Sequence, residues 1–206
     1  MIGIIDYGIG NLGSIANALI KLNKKFLISG NPLQLKNAEI LILPGVGSAL
    51  AGMKNIKKIK LDKFIVEEIK RGKSFVGICL GMQLLFEKSE EGNVPCIGII
   101  KGKVKKFQKE RKVPQIGWNQ VRIKKDAWGI KNKLFTGIPN DSYFYFVNSY
   151  YCIPDDKSII AAETEYGEKF ASIIVKDNII ATQFHPEKSG KVGFQLLNNF
   201  IRIAKC

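Results

Sequence analysis

The chain has 206 residues, 46 % hydrophobic and 24 % charged, with a formal net charge of +14. That balance suits one globular domain spanning residues 1–206 and excludes a disordered or collagen-like chain; no apolar stretch approaches the roughly 18 residues a membrane span needs, so no membrane partner is expected. The lysines are scattered, as in "KNIKKIKLDK" and "KGKVKKFQKERK", without interleaved aromatics. This reads as a solvated basic surface, with an acidic partner protein as the alternative, and no nucleic-acid binding is expected.

In chain order, "MIGIIDYG" has no basic leader and reaches Asp6 too soon for a signal peptide, so a soluble cytoplasmic protein is expected. "IGII" reads as a strand and "NLGSIANALIKLN" as a helix with apolar spacing i, i+3/i+4. "KFLIS" and "AEILILPG" read as two further strands, "FIVEEIKRG" as a helix closed by Gly72, "SFVGIC" as a fully buried strand and "LGMQLLFEKS" as a helix. Strand–helix alternation predicts an α/β fold, a mostly parallel twisted sheet flanked by helices. The second half is β-rich: "IGIIKGKVKKF", "GWNQVRI", "SYFYFVNSYY" and "FASIIVKDNIIATQFHPE" read as strands that extend the sheet antiparallel or build a small second sheet, with "KDN" a hairpin turn, before a closing helix over "VGFQLLNNFIRIAK".

Two glycine turns invite a nucleotide reading and do not sustain it. Gly8, Gly10 and Gly13 spell G-x-G-x-x-G, yet the end of the second strand offers Ser29 and Asn31 where an acid should hold a ribose. "LPGVGS" lacks the G-K-[ST] of a phosphate loop, but a turn after a buried strand can aim backbone N–H groups at an anion.

Four cysteines and one histidine leave no zinc pattern and no disulfide framework, so no metal is expected. One thiol stands apart. Gly77, Cys79 and Gly81 form G-x-C-x-G between a buried strand and a helix, the form of a nucleophile elbow with sulfur in place of oxygen. A buried structural cysteine is the alternative. Flanking glycines let backbone approach, helix N–H groups favour thiolate, and the Leu80 amide is placed for a developing oxyanion. A base for it can only be His185, in "QFHPEKS". Pro186 forces an extended segment in which Glu187, two residues on, shares a face with the imidazole and can orient it.

"GICLGMQLLFE" with "ATQFHPEKS" resembles the class I (triad) glutamine amidotransferases. Within them, "DYGIGNLGS", "LPGVGS", "KVPQIGWN" and "YFYFVNSYY" resemble the glutaminase subunits of imidazole glycerol phosphate synthases, from residue 2 to the last helix. The resemblance implies that Cys79 attacks the carboxamide of glutamine, His185 moves protons and Glu187 orients His185, with no cofactor. It implies an oxyanion site from Leu80 and from Val46 or Gly47. Glutamine contacts would come from Gln83 and from the backbone of Asn148, Ser149 and Tyr150. The implied partner is a (β/α)8-barrel cyclase that receives ammonia, docked at Asn11, Ser14, Lys112, Pro114, Gly117, Trp118 and Asn119. Trp118 taken alone reads equally as core or interface. Asn148 stands where the family often has histidine. A paralogous subunit that supplies ammonia for amidation of a sugar or glycan precursor is the alternative within the enzyme class, and a binding module on the same fold is the alternative outside it.

Overall fold

The computed structural model describes residues 1–108, 112–124 and 133–204. The first apolar runs form β1 (Ile2–Ile5), β2 (Phe26–Ser29), β3 (Ile40–Leu43) and β4 (Ser74–Ile78), paired in parallel in the order β2-β1-β3-β4. β3 explains the absence of polar alternation. Leu41 and Leu43 belong to one core with Phe64 and Phe75, while Ile40 and Ile42 belong to the other with Val76 and Phe200. A strand covered on both faces has no side left for polar residues.

α1 (Leu12–Lys21) is capped by Asn11, whose Oδ1 accepts from the Ser14 N–H at 3.1 Å. The helix expected over 64–72 begins earlier, as α4 (Leu61–Lys70), and Gly72 closes it at φ +87°. Between them lie a short α2 (Pro32–Leu35) and α3 (Ala49–Lys58), the latter hidden in the sequence by its lysine-rich outer face. Ser48 caps α3 through the Ala51 N–H, and Ala49, Gly52, Met53 and Ile56 make its buried stripe.

The helix expected over 80–89 is a correction. α5 is only Leu80–Gln83, and β5 (Phe86–Ser89) follows at once. Leu84, Leu85 and Phe86 are all fully buried. Their carbonyls are taken instead by residues 97–100: Ile97 N–H donates to Leu84 O, Gly98 N–H to Phe86 O, and Ile100 N–H to Leu85 O. β5 thus enters a small sheet of order β10-β7-β5-β6, built with β6 (Val94–Pro95), β7 (Ile100–Lys106) and β10 (Tyr150–Pro154).

The second half extends the main sheet from β4 through β13 (Ile179–Thr182), β12 (Glu168–Lys176), β11 (Ile160–Tyr166), β8 (Gln115–Ile123) and β9 (Ser142–Asn148). β13 runs parallel to β4, and every later neighbour is antiparallel, as the sequence led us to expect. The "KDN" turn joins β12 to β13 with Asp177 at φ +50°. "SYFYFVNSYY", read as one strand, is two: β9 lies in the large sheet and β10 in the small one, with Ser149 at the crossing. α6 (Gly190–Ile203) closes the fold; residue 205, which the expected helix included, lies outside the described residues. No described helix is long and apolar enough to cross a membrane.

Candidate active site

Cys79 stands between β4 and α5 at φ +54°, ψ −109°, a conformation that non-glycine residues rarely adopt. The surrounding structure holds it there. Its N–H donates to Thr182 O on β13 at 2.7 Å, and its carbonyl accepts from the Met82 and Gln83 amides at 3.0 and 3.2 Å. Gly81 has no alternative, because a Cβ there would lie 1.8 Å from Leu43 O on β3. Leu80 opens a helix of one turn, so its N–H has no intrahelical acceptor.

β13 runs beside β4 and delivers His185 to the same sheet end. The segment is clamped onto β9: His185 N–H donates to Tyr145 O at 2.9 Å, Ser189 Oγ donates to His185 O at 2.6 Å, and Tyr145 N–H donates to Ser189 Oγ at 3.0 Å. Glu187 Oε1 lies 2.8 Å from His185 Nδ1, and both side chains are buried. The opposite ring nitrogen, Nε2, is buried without a hydrogen-bond partner; the Cys79 thiol is turned to Val147 O, at 3.8 Å. Burial alone would lower the His185 pKa. The Cys79 sulfur, followed by the hydrogen bond and charge of Glu187, outweighs it and pushes the value up to about 10.

Cys79 opens on a cavity of about 400 Å³ whose lining also includes Val46, Gly47, Leu80, Gln83, Pro114 and residues 147–150. The "PGVG" turn is pressed against the elbow, since a Cβ on Gly45 would meet the Tyr7 hydroxyl and the Leu80 Cβ. Gly47 sits in that turn at φ +98°. The structure therefore brings together the elbow, the "PGVG" turn, Gln83 and the "NSY" crossing. His185 is near enough to Cys79 to feel the sulfur, and neither it nor Glu187 is among the residues lining the cavity. Of the other described thiols, burial pushes Cys96 up to about 11 and Cys152 well above its ordinary value.

Two residues of the site escaped sequence reading. Glu91 is the carboxylate among the cavity-lining residues, and its Oε2 accepts from Ala49 N–H at 2.6 Å. Gln183 is wholly buried, with Nε2 3.7 Å from Cys79 Sγ. It stands two residues before His185, and the same-face argument that selected Glu187 would have selected it.

The residues expected at a docking face fall into two groups. Asn11 and Ser14 sit at the start of α1, where the Asn11 side chain is engaged as a cap. Lys112, Pro114, Gly117, Trp118 and Asn119 run along β8 and the segment before it, with Pro114 on the rim of the cavity. Trp118 is not core: it is 55 % exposed, and Ile116, Tyr143 and Val147 are exposed with it. Ile116 pairs with Val147 and Trp118 with Tyr145, forming an apolar strip across β8 and β9. Among the described residues there is no cluster of side chains able to hold a metal ion.

The profile of the family Glutamine amidotransferase class-I matches residues 3–204. The chain belongs to the class I glutamine amidotransferases, in the HisH family. It is 48 % identical to "Imidazole glycerol phosphate synthase subunit HisH" of Methanocaldococcus jannaschii, over 98 % of this chain and 100 % of that one. It is 44 % identical to the protein of the same name from Dehalococcoides mccartyi, over 99 % and 98 % of the two chains. Among solved structures, a glutamine amidotransferase superposes with TM-score 0.77 at 16 % identity, covering 100 % of this chain and 99 % of that one. The structure of PurLQS from Thermotoga maritima superposes with TM-score 0.73 at 17 % identity, covering 98 % of this chain and 97 % of that one. At those identities the structural likeness speaks for the fold: an α/β mixed sheet flanked by helices.

Proposed function

We propose that this chain hydrolyses glutamine to glutamate and ammonia through Cys79, His185 and Glu187. The observation that carries the reading is a buried His185–Glu187 pair next to a cysteine held at positive φ on the wall of a cavity. His185 Nε2, which no other side chain occupies, holds the proton taken from the thiol, so that Cys79 attacks the carboxamide carbon as a thiolate and His185 then gives that proton to the departing nitrogen. The N–H of Leu80 and that of Val46 or Gly47 hold the oxyanion. A glutamyl thioester remains; water, deprotonated by His185, releases glutamate and restores the thiol.

The cavity suits an amino-acid substrate. Gln83 Nε2 already donates to Tyr150 O at 3.0 Å and to Gln183 Oε1 at 3.1 Å, which uses both of its hydrogens. Its free function is therefore an acceptor, and with the Glu91 carboxylate it suits the α-ammonium of glutamine. Backbone of Asn148, Ser149 and Tyr150 walls the other side.

Ammonia released into water is mostly protonated and lost as a nucleophile, so the product needs an acceptor site on a docked partner. The relatives are named as subunits of imidazole glycerol phosphate synthase, which supports a partner subunit and a place in histidine biosynthesis. We assign the partner as a (β/α)8-barrel cyclase seated on Ile116, Trp118 and their neighbours, whose strip reaches the cavity rim at Pro114 and Val147. The test is glutamate release by the full chain with and without that cyclase and its nucleotide substrate. Low activity alone and strong stimulation by the pair is the expected result; activity indifferent to the cyclase would move the chain to another acceptor.

A further inference from the structure

We propose that Gln183 is a fourth working residue of this site: its Nε2 donates a hydrogen to the Cys79 sulfur and holds the nucleophile as a thiolate facing the cavity. The inference rests on the reading of Cys79 as the nucleophile, and it adds a donor that the Cys79, His185 and Glu187 assignment does not use.

The direction of this hydrogen bond follows from a chain of partners. Tyr150 O is a backbone carbonyl and can only accept, so Gln83 must turn its amide nitrogen toward it, at 3.0 Å. That same nitrogen lies 3.1 Å from the Gln183 side chain, which must answer with its oxygen, since two amide nitrogens cannot bond each other. The nitrogen of Gln183 is then left for the atom on its other side, Cys79 Sγ, at 3.7 Å. A side chain that is 0 % exposed cannot exchange this arrangement for water. Its backbone is fixed as well, with Gln183 N–H donating to Ser172 O at 2.9 Å.

The other groups that reach the sulfur do not duplicate this role. Tyr7, from the loop after β1, and Cys152, from β10, are both pushed up by burial and stay neutral near pH 7. Glu91, across the cavity, and Glu187, behind His185, are carboxylates and would oppose a thiolate. His185 is the cationic partner, and Gln183 is the neutral side-chain donor. The two act at different moments. His185 loses its proton to the departing ammonia, whereas the Gln183 N–H stays in place throughout. When the thioester forms, the sulfur becomes a poor acceptor. When water attacks and the C–S bond breaks, the leaving sulfur regains its charge against the same N–H. A hydrogen bond to the ionised sulfur is stronger than one to the neutral thiol, so the donor favours both the attacking and the departing thiolate.

The measurement is the rate of Cys79 alkylation by iodoacetamide against pH in the full chain, quantified on the Cys79 peptide so that the other thiols do not contribute. Gln183→Met removes the donor at similar volume, and Gln183→Glu replaces it with a carboxylate. The midpoint of the profile is expected to rise by about one pH unit in Gln183→Met, a roughly tenfold slower reaction below the midpoint, and by more in Gln183→Glu. Thermal unfolding of each variant reports whether it is folded; if Gln183→Met does not fold, the comparison is made with Gln183→Glu alone. Midpoints unchanged in the folded variants would overturn the proposal and leave Gln183 a packing residue. The parent reading fails separately, if Cys79→Ala still releases glutamate from glutamine at the wild-type rate.

Discussion

The two halves of the large sheet contribute to the site by different means. The parallel half places its group by local necessity. β4, a one-turn helix and a glycine that a Cβ would drive into Leu43 O leave Cys79 one available position. The later half places His185, Glu187 and the cavity wall through pairings between distant segments: β13 parallel to β4, the His185 turn against β9, and the crossing at Ser149 from one sheet to the other. The proposed nucleophile is set by its neighbours in sequence, whereas the proposed base and substrate wall have to be brought to it.

The sharpest break in this comparison is chemical. Cys79→Ala is expected to lower glutamate release by roughly 10⁴-fold or more, with His185→Ala close behind, while Glu187→Gln costs roughly tenfold to hundredfold less than His185→Ala because it orients rather than transfers. Equal losses in a coupled glutamate assay would make Glu187 a proton carrier. The next contrast sets one glycine from each half side by side. Gly81→Ala must displace Leu43 O and is expected to destabilise the fold by roughly 3 kcal/mol in urea unfolding, as overpacking does. Gly117→Ala, at φ +137° with open space around its Cβ, is expected to cost only about 1 kcal/mol of backbone strain.

At the docking strip, Trp118→Ala is expected to weaken cyclase binding about tenfold or more by calorimetry, with little change in thermal midpoint, because the side chain is largely exposed. The smallest effect is electrostatic and concerns the one histidine of the chain, whose imidazole can be followed by NMR without assignment. The folded His185 is raised to about 10, above its unfolded value of about 6.5. Its contribution to stability is therefore fully present below about pH 6.5 and lost as pH rises toward about 10. Cys79→Ala should lower the His185 midpoint more than Glu187→Gln does, and either should flatten the fall in stability across that window.

What was legible in the sequence divides along the same line. The parallel strands, the elbow and the His185–Glu187 spacing are local patterns, and each could be read from a few adjacent residues. The "LGMQLLFEKS" stretch misled because its apolar residues fit a helix until the amides of residues 97–100 claim the carbonyls of Leu84, Leu85 and Phe86. "SYFYFVNSYY" hid its break because seven aromatic and β-branched residues read as one strand, and the Asn148-Ser149 pair between them does not say that two sheets share them. Glu91 could not be found at all: it reaches the cavity by bonding the start of α3, a helix whose lysines masked its stripe. Gln183 was within reach, two residues from His185, and was passed over because a glutamine has no charge to draw the eye.

The apolar strip on β8 and β9 also bears on the life of the chain before it meets a partner. Ile116, Trp118, Tyr143 and Val147 present to a second copy the same exposed apolar face that is proposed to seat the partner subunit. The net charge of +14 opposes that encounter at low ionic strength, since two like-charged copies repel. The scattered lysines are therefore expected to keep unassembled copies apart in dilute buffer. Salt screens repulsion at separations beyond about 8 Å at physiological ionic strength and leaves apolar attraction intact. Rising ionic strength should therefore drive the lone chain toward self-association, and the bound cyclase should abolish the effect.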